Sequence, residues 1–507
     1  MSQSRSPRTV ENIGHQVARG VVWMVASKAL ERAIGLASIV ILARILTPQD
    51  FGLIAMVMAF VAVVELLQSF GFDVALIQAR SSSKEDFDSA WALNVVLGAG
   101  CAVLIASLAP LAATFYREPR LVSLAYCLAF GTLIFGFENI GPVAFRRELQ
   151  FNKEFHFVLI KKLGGAIVTV SLALILRTFW ALVVGMIFSR VLGVAVSYWI
   201  HPYRPHFRFR RAGSLLRFSK WLFLNNLVGV ARYKIGDVIV GRAFGASILG
   251  VFNISMEIAS LPTTELSAPI NRAVFPGYSR WAQSEHGLRD GFLKTIAAIF
   301  LVTAPAAVGI GLVAEPLVMV ILGEQWHAAA ALITVLAYFG LTQALQSNFG
   351  YVFIANGNPG YVTIYATVML ACEGLFASVG AVNFGVRGAA WGLLAGGLLP
   401  MPFIVLVMSR MLKVSAFDWL LVTWRPALAT LLMIGVVHLW IDFTANIVSS
   451  PSYAFVLTSS IGIGAVVYSL CTYAAWRSIG RPEGPEFAVL TTIAAFGKRI
   501  REQRWPR

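Results

Sequence analysis

From about residue 18 to residue 476 the chain is a succession of apolar runs, most of them about 20 to 35 residues long, broken by short polar knots such as Arg44–Asp50. That pattern decides the class of fold before any motif is read. Of 507 residues, 58% are hydrophobic and only 13% charged, with a mean hydropathy of +0.74, whereas soluble domains carry roughly 25% charged residues. A water-facing surface cannot be built from so few polar groups. A bilayer accepts them, because a spanning helix needs about 20 mostly apolar residues. A transmembrane barrel would show strict alternation in segments of about ten residues, and runs such as AALITVLAYFGLTQAL do not alternate. The expected fold is an all-α polytopic membrane protein.

Fourteen candidate spans can be marked: 18–46, 51–79, 86–116, 120–146, 154–177, 178–200, 214–244, 247–281, 288–322, 327–356, 358–383, 387–412, 418–441 and 453–476. Lys and Arg count about 25 on the N-terminal side of the membrane against about 6 opposite, which places both termini in the cytoplasm. The net charge of +16 is then a topology signal and an attraction to anionic headgroups, not a nucleic-acid footprint. The polar start MSQSRSPRTVENIGHQVAR lacks the apolar core of a signal peptide, so the first span is expected to act as an uncleaved insertion signal. Cys101, Cys127, Cys372 and Cys471 sit in apolar runs without CxxC spacing and read as small hydrophobes. Neither they nor the seven His suggest a metal or cofactor.

An internal repeat divides the spans. Sliding the chain by 198 residues aligns Arg19 with Arg217, Trp23 with Trp221, Val40 with Val238, Ile41 with Ile239, Arg44 with Arg242, Gly52 with Gly250, Met58 with Met256 and Ala75 with Ala273. Two six-helix lobes in the same orientation follow, as in transporters whose halves are related by an axis along the membrane normal. The expected domains are an N-terminal lobe (1–200), a basic cytoplasmic linker (201–213), a C-terminal lobe (214–412), two extra transmembrane helices (413–480) and an amphipathic cytoplasmic tail (481–507). The tail repeats Phe487, Leu490, Ile493, Phe496 and Ile500 at helical spacing before a basic end, the pattern of an interfacial helix. Within the first knot, Thr47, Pro48 and Asp50 have the spacing of an N-cap, a first-turn proline and a capping box, so the knot reads as a helix start at a periplasmic hairpin.

Ionisable residues at membrane depth each cost about 2.5–3.5 kcal/mol on insertion scales, so they need partners or a water-filled cavity. The cations are Lys28, Arg32, Arg190, Arg232 and Lys234, all candidates to line a substrate-binding cavity. Arg offers a fork to phosphate oxygens and Lys a point charge. The alternative is structural pairing: Lys28 and Arg32 share a helix face with Glu31, and Lys234 shares one with Asp237. Glu65, Asp237, Glu257 and Glu265 are candidates for coupling to H+ or Na+, since a desolvated carboxylate exchanges a proton readily; pairing with the cations competes with that reading too. Glu138 and Glu373 are further intramembrane acids. Pro262, Pro269 and Pro276 recur every seven residues along one face of span eight, either a flexing element or a static curve. Gly71, Gly98, Gly100, Gly164, Gly165, Gly396 and Gly397 read as close helix contacts. Asp86 and Asp88 have DxD spacing but open span three, where acids are ordinary. With no Walker A sequence, ATP hydrolysis in this chain is not expected.

GLASIVILARILTPQDFGLIAMVMAFVAVVELLQSFGFDVALIQ (Gly35–Gln78) resembles the N-terminal signature of Wzx-type polysaccharide flippases, in the multidrug/oligosaccharidyl-lipid/polysaccharide exporter superfamily. RRELQFNKEFHF, RFSKWLFLNN and NRAVFPGYSRW resemble that family's later segments, so the likeness runs along essentially the whole chain. It implies translocation of undecaprenyl-pyrophosphate-linked oligosaccharide across the bacterial inner membrane for exopolysaccharide, capsule or O-antigen, through a cationic cavity open alternately to each side. It also implies a polysaccharide polymerase and a chain-length regulator as partners. The rival readings are a multidrug cation antiporter of the same superfamily, against which the basic bias of the cations argues, and a membrane-embedded polymerase or acyltransferase. The latter needs a sizeable aqueous loop, and the longest non-cytoplasmic one is about eleven residues (442–452).

Overall fold

The computed structural model describes residues 7–68, 72–78, 83–210, 212–284, 287–358, 360–447, 452–480 and 484–487. Every regular element among them is helical. In chain order these are α1 (Pro7–Ile45), α2 (Pro48–Glu65), α3 (Phe72–Gln78), α4 (Lys84–Tyr116), α5 (Arg120–Gly136), α6 (Val143–Arg147), α7 (Phe151–Leu176), α8 (Trp180–Ile200) and α9 (Ala212–Ala259). A π-helical turn, Pro262–Ser267, leads into α10 (Ala268–Trp281). Then follow α11 (Gly287–Leu312), α12 (Ala314–Ile321), α13 (His327–Gln346), α14 (Phe349–Ala355), α15 (Gly360–Leu398), α16 (Met401–Leu412), α17 (Ala416–Ile447) and α18 (Tyr453–Ser478).

Ten stretches are long and apolar enough to cross a membrane among the described residues, and α5 is a shorter apolar helix. Two of the ten are pairs of helices joined across a kink. Asn226–Tyr278 and Gly360–Leu412 each span 53 residues, and each turns at one glycine: Gly245 (φ 80°, ψ −177°) and Gly385 (φ 69°, ψ −157°). Those φ values favour glycine, which is why each break falls at one. A Cβ on Gly380 would lie 2.1 Å from the Gly388 carbonyl oxygen, so the two arms touch at once. The turns fall at the ends expected for spans seven and eleven.

The chain forms two compact units, Met1–Gly250 and Val251–Arg507. In the first, the knot is a helix start. Thr47 Oγ1 accepts from the Asp50 amide at 3.4 Å, and Asp50 Oδ2 accepts from the Thr47 amide at 2.9 Å, completing the capping box. Asp50 Oδ1 also accepts from the amide of Phe179, the N-cap residue of α8, at 2.9 Å. One carboxylate thereby satisfies orphan donors of two helices. The repeat appears in the same unit as a reciprocal contact. A Cβ on Gly52 would sit 1.7 Å from the Ala246 carbonyl oxygen, and one on Gly250 would sit 1.8 Å from that of Pro48. Shifted by 198 residues, Pro48 becomes Ala246 and Gly52 becomes Gly250, so each contact is the other's counterpart. Only residues without a side chain let two backbones approach so closely.

In the second unit, Val308, Met433 and Val437 form a buried cluster with Leu312, Val467 and Tyr468 packed on it. This seats α17 and α18 against α11, fixed further by Tyr468 Oη donating to the Leu301 carbonyl at 2.6 Å and by Arg289–Asp418 at 2.9 Å. The expected amphipathic tail lies mostly outside the described residues. Its beginning is described: Glu486, 5% exposed, pairs with Arg425 of α17 at 2.9 Å.

Candidate functional site

Two of the first unit's ion pairs link separate helices. α8 carries Arg190 about ten residues from its start, roughly 15 Å along the helix. Its guanidinium reaches α2 and α5 together: Nη2 donates to Glu65 Oε1 at 2.6 Å and Nη1 to Thr132 Oγ1 at 2.8 Å. Thr132 Oγ1 lies 2.7 Å from Glu65 Oε1, closing a three-membered ring of contacts. Room for the arginine comes from Gly131, where a Cβ would stand 3.3 Å from Arg190 Cδ. The pair is only partly covered, with side chains 17% and 24% exposed. Below it a second interhelical pair, Lys161 Nζ to Glu138 Oε2 at 2.6 Å, joins α7 to the end of α5.

The other sequence-selected residues fall out as follows. Lys234 and Asp237 pair at 2.8 Å within α9, and both are largely buried. Lys28 pairs with Glu31 at 2.9 Å but is 66% exposed. Arg32 and Arg232 are half-buried, as is Glu257; Glu265 is exposed, and each has an interacting neighbour. The structure thus unites one expected cation with one expected acid across helices, Arg190 with Glu65, and confirms the local pair Lys234–Asp237. Among the described residues no group of His, Cys, Asp and Glu has the arrangement of a metal site.

Two further arrangements escaped the sequence reading. The first involves the DxD aspartates. Asp86 caps α4 with Ser83. Asp88, fully buried, accepts from Tyr203 Oη and from the His206 amide at 3.2 Å, with Arg208 Nε at 3.9 Å. It straps the linker across the start of α4, helped by Phe207 edge-on to Trp91 at 4.8 Å. Burial, and then this hydrogen bond, raise the Tyr203 phenol above its ordinary pKa. Burial likewise lowers that of His201. Catalysis has no place in such an arrangement, since the carboxylate faces no open space.

The second is a neutral ladder in the second unit. Thr263 Oγ1 donates to the Gly340 carbonyl at 2.8 Å, Ser267 Oγ to that of Ala344 at 3.2 Å, and Asn348 Nδ2 to Asn271 Oδ1 at 2.7 Å. Each rung joins residues 77 apart, so two parallel helices run in register. Tyr278 Oη donates to Asn348 Oδ1 at 2.7 Å, and Asn271 Nδ2 to Ser347 Oγ at 2.7 Å. The spacing of 263, 267 and 271 was visible as one polar stripe on an apolar helix.

This architecture is shared with solved transporters. The inward-closed lipid II flippase MurJ superposes with a TM-score of 0.74, covering 90% of this chain and 99% of its own at 13% identity. An inward-facing multidrug resistance MATE family transporter gives 0.56, covering 78% and 100% at 17% identity. The fold is therefore the polytopic, all-helical fold of those proteins. Residues 41–331 match the family profile described as "Polysaccharide biosynthesis protein", more than half of the chain, and the chain belongs to that family. Its relatives include the lipopolysaccharide biosynthesis protein WzxC of Escherichia coli K12, 25% identical over 66% of this chain and 69% of the relative. The succinoglycan biosynthesis transport protein ExoT of Rhizobium meliloti is 24% identical over 92% and 94%. The teichuronic acid biosynthesis protein TuaB of Bacillus subtilis is 24% identical over 73% and 77%. The protein is a membrane transporter of polysaccharide biosynthesis and not an enzyme.

Proposed function

We propose that the protein flips undecaprenyl-pyrophosphate-linked oligosaccharide repeat units from the cytoplasmic to the periplasmic leaflet of the bacterial inner membrane, for exopolysaccharide, capsule or O-antigen. The observation that carries this reading is the likeness to a succinoglycan transport protein along 92% of the chain. The fold of a lipid II flippase supports it, because that fold handles a lipid-linked saccharide.

The cargo joins a long apolar chain to a diphosphate and a saccharide. Its headgroup needs cations in the membrane, and Arg32, Arg190, Arg232, Lys28 and Lys234 are candidates to supply them. Of these, Arg190 has the best supporting geometry, because it is held at depth yet not sealed. Alternating access of the cationic cavity, with both termini cytoplasmic, completes the reading. Coupling to H+ or Na+ falls to Glu65, Asp237, Glu257 or Glu265. A polysaccharide polymerase and a chain-length regulator are the partners that use the product.

The test is deletion of the gene followed by analysis of lipid-linked saccharides. Accumulation of a complete, unpolymerised repeat unit on the cytoplasmic side is the expected result. A truncated saccharide, or no change in glycan together with increased drug sensitivity, contradicts it.

A further inference from the structure

The Arg190–Glu65–Thr132 ring has a property that a purely structural pin does not need. The Thr132 hydroxyl has one proton and two acceptors in reach, Glu65 Oε1 at 2.7 Å and the Leu128 carbonyl oxygen at 2.9 Å. It also accepts from Arg190 Nη1 at 2.8 Å. If Glu65 withdraws, Thr132 turns its proton to Leu128 and still receives the arginine, so no buried hydroxyl is left unpaired. The usual penalty for removing a hydrogen-bond partner is avoided at this residue. Arg190, lying in the notch above Gly131, keeps its place while one N–H edge is vacated. Glu65 ends α2, where the chain leaves the helix, and its side chain is 24% exposed. The neighbouring charged pair, Lys161–Glu138, is closed on itself at 2.6 Å and does not compete for Arg190.

We propose that Glu65 is a built-in stand-in for the cargo's diphosphate: phosphate oxygens displace its carboxylate from Arg190, which Thr132 holds in position, and Glu65 returns to expel the headgroup. The exchange swaps one anionic oxygen partner for another and leaves no guanidinium unpaired at membrane depth. Arg190 is the binding group, and Thr132 and Glu65 are positioning and release residues. This rests on the proposed function, whose substrate carries the diphosphate.

Binding of a polyprenyl diphosphate, with and without a saccharide, to the purified full chain tests it, alongside turnover in proteoliposomes. Glu65→Gln keeps the hydrogen bonds but removes the competing charge. It is expected to tighten binding about tenfold, which is about 1.4 kcal/mol, while turnover falls because release slows. Thr132→Val is expected to weaken binding, and Thr132→Ser to restore it. Arg190→Lys, which keeps charge but loses the fork, should bind less tightly than the wild type. Unchanged or weaker binding by a folded Glu65→Gln variant overturns the exchange while leaving the flippase reading intact. Failure of the wild-type protein to bind any polyprenyl diphosphate overturns both.

Discussion

The two units stitch corresponding helices together in opposite ways. In the first, α2 meets α5 and α8 through an ion pair, Glu65 with Arg190, bridged by Thr132. In the second, the π-helical turn and α10 meet α13 and α14 through hydroxyls and amides alone. The 198-residue register places Thr263 where the first repeat has Glu65, so one position carries charge in one unit and a neutral hydroxyl in the other. An ion pair can trade partners with another ion. A ladder whose amides and hydroxyls are already paired has nothing to trade, and it holds its helices as one body. Of these two seams only the first carries exchangeable charge.

That contrast can be broken by mutation. The largest effect is expected from Arg190→Gln, which leaves Glu65 without its charged partner. Loss of about 3 kcal/mol of stability should appear as a lowered melting temperature in detergent, since removing one member of a partly buried pair leaves the other charge uncompensated at membrane depth. Next comes Asn348→Leu, which strips hydrogen bonds from Asn271 and Tyr278 at once. About 2 kcal/mol is expected, from buried groups left unpaired. Gly52→Ala and Gly250→Ala should each cost about 1–3 kcal/mol by overpacking. Because their contacts are reciprocal, the two losses should match, and a large inequality would argue against the pseudo-symmetric crossing.

The smallest effect lies at the hairpin after α4. There the Arg120 hydrogen bond holds the Glu118 carboxyl below its ordinary pKa. A folded pKa below the unfolded one means that the contribution is complete above the ordinary carboxylate pKa and fades as pH falls through the lowered value. With Arg120 44% exposed, Glu118→Gln should cost well under about 1 kcal/mol at neutral pH. The difference from wild type should vanish in acid, as melting curves across pH would show.

Much of this was legible in the sequence because it is local. The capping box at Thr47–Asp50, the Lys234–Asp237 pair and the hairpin ends all arise within about one helical turn. The glycines of the repeat were also visible, though not that they touch. What escaped is long-range. Glu65 and Arg190 are 125 residues apart, and no periodicity on either helix names its partner. Asp88 looked like a helix-start acid because its neighbour Asp86 is one, and only tertiary packing brings Tyr203 to it. The polar stripe at 263, 267 and 271 was in plain view, but the prolines of the same span pointed toward bending instead.

The account's central claim is that the first unit's charged seam handles cargo while the second unit's neutral seam only holds structure. Its most direct test is the translocation rate of a lipid-linked oligosaccharide in proteoliposomes, normalised to folded protein, for Arg190→Gln and Asn348→Leu side by side. The account predicts at least a tenfold fall for Arg190→Gln and a rate within about twofold of wild type for Asn348→Leu. Equal losses in the two variants, or a wild-type rate for Arg190→Gln, would contradict it.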